Sequence, residues 1–169
     1  MKNIDWIEYE TIVKPILESS EFQKRKTYPH HDQITVYDHS LAVSKVAYLW
    51  AKQWNLNYEA AAISGLLHDF YSKPWQDNTE KKPLFERHGY VHAKEALENA
   101  YKYFPELITD EIADSILRHM FPLNVTPPKY KIGWIVTFSD KYVSLEVFKH
   151  PKTLHKLVGL GKKRGDKHE

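Results

Sequence analysis

The sequence predicts an all-α fold: one helical domain with a core of about five to six helices. Apolar residues recur at three- and four-residue spacings through most of the 169 residues, and proline, glycine or charged stretches separate the segments so marked. No internal repeat, low-complexity block or long Gly/Ser linker divides the chain. A chain of this length folds as one domain that buries roughly two-thirds of the surface its unfolded form exposes. The expected organisation is 1–35 as an N-terminal helix and loop packing on the core, 36–148 as the main domain and 149–169 as a basic tail.

The first helix is expected from about Asp5 to Ser19, with Trp6, Ile7, Ile12, Val13, Ile16 and Leu17 apolar and Pro15 as a kink. Glu21 to Thr35 is polar and reads as a loop. A second helix fits Val36 to about Trp54, where Val43, Val46, Leu49 and Trp50 share a face with His39. The third, about Tyr58 to Asp69, is alanine-rich and ends at a His-Asp pair, because Phe70 to Trp75 reads as a turn closed by Pro74. Gln76 to Arg87 is charged and reads as a loop.

A fourth helix fits about Gly89 to Phe104, with Ala93, Ala96, Leu97 and Ala100 inward, His92 in its first turns and Pro105 as its stop. The fifth begins at Thr109, an N-cap followed by Asp110 and Glu111, and ends near His119. The sixth fits about Tyr130 to Phe148 and places Asp140 on the face of Val136, Val143 and Val147. A strand over Trp134–Phe138 is the weaker alternative.

Composition narrows the functional classes. The absence of cysteine excludes disulfides, cysteine-type zinc sites and thiol catalysis, so a metal would have to sit on histidine and carboxylate. A formal charge of +2 gives no basis for a dedicated nucleic-acid surface, and the clearest basic cluster, Lys162-Lys163-Arg164 with Lys167, reads as a solvated tail. No apolar run approaches the ~18 residues of a membrane span, and the acidic start is unlike a signal peptide. A soluble cytoplasmic protein is therefore expected.

Against that background His39, His68-Asp69, His92, His119 and Asp140 stand out, six metal-ligand side chains set among apolar residues. Such groups are costly to bury unless paired, hydrogen-bonded or metal-bound, and one shared metal site explains them together. Neighbours on an ideal helix point about 100° apart, so His68 and Asp69 converge only at a helix end, which the turn at Phe70 to Pro74 supplies. The alternative for His92 and His119 is that of satisfied core histidines.

The pattern His39, His68-Asp69 and Asp140 resembles the signature of the HD superfamily, all-helical metal-dependent phosphohydrolases, and the resemblance covers about Val36 to Phe148. His92 and His119 are similar to the additional histidines of its binuclear branch. The resemblance implies that His39, His68, Asp69 and Asp140 hold one divalent metal ion and that Asp69, His92 and His119 hold a second, Asp69 bridging. Iron or manganese is favoured, with zinc, cobalt, nickel or magnesium also compatible. It further implies that metal-activated water cleaves a phosphate ester or anhydride of a nucleotide or small phosphorylated metabolite, with Asp69 and His68 at the catalytic centre. The same pattern occurs in di-iron oxygenases of the superfamily, and a nucleotide-binding regulatory module is a third alternative.

Lys73, Arg118 and Lys141 are candidate phosphate contacts by their nearness to the ligands in sequence, although each has an ordinary role as an exposed charge. Phe70, Tyr71, Trp75, Phe121 and Trp134 flank the ligand segments and offer rings either to a nucleobase or to the core. His30-His31-Asp32 forms a second His-Asp pair but lies in a polar loop, and it reads as a decoy, with His31 at most reaching the mouth of a cleft. His88 touches site, substrate or water, and His150, His155 and His168 read as solvated. The expected partners are the small phosphorylated substrate and, through exposed aromatics, a second copy in a homodimer; no membrane or nucleic-acid partner is expected.

Overall fold

Thr35 opens the helix around which the site is arranged. In a computed structural model, which describes residues 6–31, 34–72 and 84–149, the Thr35 hydroxyl accepts from the Asp38 amide at 3.2 Å, while the Asp38 carboxylate accepts from the Thr35 amide at 3.3 Å. This reciprocal capping box satisfies two amides that the first turn leaves bare. The chain order is α1 (Trp6–Leu17), α2 (Ser20–Gln23), a 3-10 turn (Lys24–Thr27), β1 (Pro29–His31), β2 (Ile34–Thr35), α3 (Val36–Gln53), α4 (Tyr58–Leu67), α5 (Leu84–Tyr103), a 3-10 turn (Pro105–Leu107), α6 (Asp110–Arg118) and α7 (Lys131–Lys149). The all-α class holds, with one two-stranded antiparallel hairpin as its sole sheet among the described residues.

The starts of the later helices are written into the sequence in the same way. Asn57 caps α4 through the Ala60 amide, and Thr109 caps α6 through the Ile112 amide. Asp114 on α6 accepts from the amides of Lys129 and Tyr130, at 2.8 and 3.4 Å, and so fixes the entry to α7.

α4 is the centre of the structure. Every residue from Ala60 to Leu67 is buried, and the helix contacts α1, α3, α5, α6 and α7. Its small side chains permit that crowding. A Cβ on Gly65 would lie 2.7 Å from Cα of Ser44, so α3 and α4 touch backbone to backbone there. Tyr9, Val13 and Ile16 of α1 belong to the same hydrophobic cluster as Ala47, Tyr48 and Leu66.

Two expectations need correction. The segments 21–31 and 34–35 are not a loop: they form α2, the 3-10 turn, β1 and β2, with Phe22 and Arg25 buried. α5 begins at Leu84, inside a segment whose charge suggested a loop; a charged run is compatible with a helix whose other face is covered. The expected sixth helix is present as α7, and residues 134–138 are helical within it rather than a strand.

Candidate metal centre

α3, α4, α5, α6 and α7 each bring at least one imidazole or carboxylate to a common point. His39, in the first turns of α3, donates from Nε2 to Oδ1 of Asp140 on α7 at 3.0 Å. His68 Nε2 lies 3.4 Å from Oδ2 of Asp69 and 3.8 Å from Oδ1 of Asp140. On the far side of Asp69, Oδ1 stands 3.4 Å from His92 Nε2 and 3.7 Å from His119 Nε2, and the two histidine nitrogens are 3.4 Å apart. Asp69 thus turns one oxygen to each of two neighbouring groups of donors.

His68 and His119 are built alike. Each is the C-cap of its helix, in the right-handed helical conformation, and each donates Nδ1–H to the carbonyl three residues earlier, Gly65 at 2.8 Å and Ile116 at 2.7 Å. Two consequences follow from helix chemistry. Carbonyls in the last turn lack helical donors, so the imidazole satisfies one of them. With Nδ1–H bound to the backbone, Nε2 is the nitrogen turned to the site, the arrangement that orients metal-binding histidines.

The electrostatics ask for a cation. Burial alone would depress the His68 imidazole, but Asp69 and Asp140 overcome it and raise its pKa to about 9. His119 is pushed down to about 3 by burial and by the charge on His68. Burial opposes ionisation of Asp69 and Asp140, yet the surrounding histidines hold both below the usual carboxylate range. The buried Nε2 of His68 makes no hydrogen bond, and the side chains gathered there are imidazoles and carboxylates, a ligand set that suits a divalent ion. Donor atoms of His39, His68 and Asp140, and of His68, Asp69 and His119, lie within 4.8 Å of one another. The residues present fit a metal.

A scan against protein-family models matches the HD domain over residues 36–145. The chain belongs to the HD domain family. No curated protein and no solved structure gave a match. The HD domain supplies all six side chains singled out in the sequence, and the structure brings all six together.

Residues on both sides of the HD domain's central dipeptide were invisible to the sequence reading. The backbone after Asp69 is held by side chains from distant elements: Asn99 donates to Phe70 O at 2.8 Å, Arg25 to Tyr71 O at 2.6 Å and Tyr28 to Ser72 O at 2.6 Å, while Glu95 accepts from Ser72 N at 2.9 Å. His30, read as part of a decoy, lies with its ring centroid 4.2 Å from that of His39. Its position comes from the hairpin folding back on α3, a tertiary event with no local signal.

Of the candidate phosphate contacts, Lys141 is half-buried, and burial lowers its pKa against the pull of Asp140. Arg118 bonds to Asp114 at 3.0 Å and to Pro127 O at 3.0 Å, contacts that hold the loop before α7. Lys73, Trp75, Asp32, His150, His155 and His168 lie outside the described residues, as do the side chains of His31 and His88. Phe70 is fully buried beneath Arg25, whose guanidinium carbon is 4.1 Å from the ring centroid, and serves the core. Phe121 and Trp134 pack edge to face at 5.3 Å. No described helix is long and apolar enough to cross a membrane.

Proposed function

We propose that this HD domain protein is a metal-dependent phosphohydrolase that cleaves a phosphate ester or anhydride of a nucleotide or another small phosphorylated metabolite. The observation that carries the reading is the division of Asp69, with Oδ2 toward His68 and Oδ1 toward His92 and His119. In this proposal His39, His68, Asp69 and Asp140 hold one divalent ion, Asp69, His92 and His119 hold a second, and iron or manganese is the favoured metal. When bound, the metal supplies Lewis acidity, activating water and neutralising charge on a phosphoryl oxygen.

The protein's own groups supply position. The Nδ1–H bonds of His68 and His119 lock both rings, and the clamps on residues 70–72 fix Asp69 from behind, so little reorganisation is needed during reaction. Lys141, partly withdrawn from water, is the cation we assign to the substrate phosphate, where a desolvated ammonium attracts an anion more strongly than in bulk water. No protein nucleophile is required: the water oxygen bonds to phosphorus as the bond to the leaving oxygen breaks.

The test is phosphate release from nucleotides, dinucleoside polyphosphates and sugar phosphates by metal-stripped protein, with manganese, iron(II), cobalt or magnesium restored singly under anaerobic conditions. Release that depends on metal is expected, with loss of at least ~100-fold in Asp69→Ala and retention of its far-UV circular dichroism. A fully active Asp69→Ala protein would sink the mechanism. Silence with every metal, joined to oxygen uptake by the iron form, would move the assignment to an oxygenase.

A further inference from the structure

The hairpin that precedes α3 contributes a donor of its own. His30 lies in β1, between the paired residues Pro29 and His31, and the ladder is irregular at that point: Pro29 pairs with Thr35 whereas His31 pairs with Ile34. A bulge of this kind bends the strand and re-aims the side chain it carries, and such irregularities concentrate beside active sites. The His30 ring stacks on His39 at 4.2 Å between centroids, with 38° between planes. Donor atoms of His30, His39 and Asp69 all fall within 4.8 Å of one another.

Tyr28, which leads into the strand, ties it to two elements that carry the centre. Tyr28 O accepts from the Val36 amide at 2.9 Å, binding the strand to the first turn of α3, where His39 sits. The Tyr28 hydroxyl donates to Ser72 O at 2.6 Å, binding it to the segment behind Asp69.

We propose that His30 is a further metal ligand of this centre, joining His39 and Asp69 on the cation they hold. An ordinary ring stack accounts for the contact with His39 but not for the approach of the same imidazole to Asp69. A coordination sphere of histidine and carboxylate accepts more than four donors when the ion is iron, manganese or cobalt. The inference rests on the metal reading of the site.

Cobalt(II) is the probe, because its visible ligand-field band reports coordination directly. Metal-free wild type, His30→Ala and His30→Gln are titrated with cobalt, and affinity, band and the cobalt-induced rise in Tm are compared. Both variants are expected to keep the metal-free Tm, to bind cobalt at least ~10-fold more weakly, to show an altered band and to lose part of the Tm rise. Unchanged affinity and band in both variants would overturn the inference, even if hydrolysis fell, since that pattern belongs to a substrate contact. Loss of fold in both would also overturn it and make His30 a structural residue. A wild type that takes up neither cobalt, manganese nor iron(II) would remove the metal reading itself, and this inference with it.

Discussion

Arg25 shows how far a single side chain can act from its place in the sequence. Fully buried, it donates to Glu21 O at 2.6 Å, to the Glu21 carboxylate at 3.3 Å and to Tyr71 O at 2.6 Å, two residues beyond Asp69. Arg25→Leu would leave the Tyr71 carbonyl without its donor, and we expect a stability loss of about 2–4 kcal/mol, read as a lower urea midpoint. Arg25→Lys should recover only part of it, because one ammonium cannot reproduce the planar fork. Nothing in the sequence announces this role, since the partner lies 46 residues away. The six central side chains were legible for the opposite reason: each lies on a helix or just past its end, where the apolar period fixes the face, so convergence follows from packing. His30 lacks such a frame, and only the hairpin's irregular pairing delivers it.

At the scale of elements, the α3–α4 contact is the most demanding. A Cβ added at Gly65 would lie 2.7 Å from Ser44 Cα, and the Gly65 carbonyl receives the Nδ1–H of His68. Alanine favours a helix over glycine by roughly 1 kcal/mol, but here its methyl has to displace backbone. Gly65→Ala is therefore expected to destabilise by about 1–3 kcal/mol, measured by thermal or urea unfolding, and to weaken metal binding because His68 moves with the helix. Helix starts were readable wherever a side chain caps them, as at Thr35, Asn57 and Thr109. The start of α5 was not, because its charged first turns offer no apolar period, and the order of residues 21–31 depends on burying Phe22 and Arg25 against the rest of the fold.

Across the whole molecule, α1 is joined to the two helices beneath it by one carboxylate. Glu8 accepts from Tyr48 at 2.7 Å, from Tyr58 at 2.9 Å and from Lys52. The Lys52 and tyrosine hydrogen bonds lower its pKa from 4.5 to about 2. A depressed folded-state value means that the contribution is complete above pH 4.5 and disappears as pH falls from there toward 2. Tm measured against pH should fall more steeply over that range in wild type than in Glu8→Gln, and the difference should shrink in high salt because the cluster lies near the surface. A different kind of constraint comes from α4, whose eight residues Ala60–Leu67 are all buried among five other helices. From Ala60 to Leu67 the helix has no outer face, and so no position at which substitution is neutral. Change there has to be matched by simultaneous change in its neighbours, which leaves the outer faces of α1, α5 and α7 as the places where this chain can diverge one residue at a time.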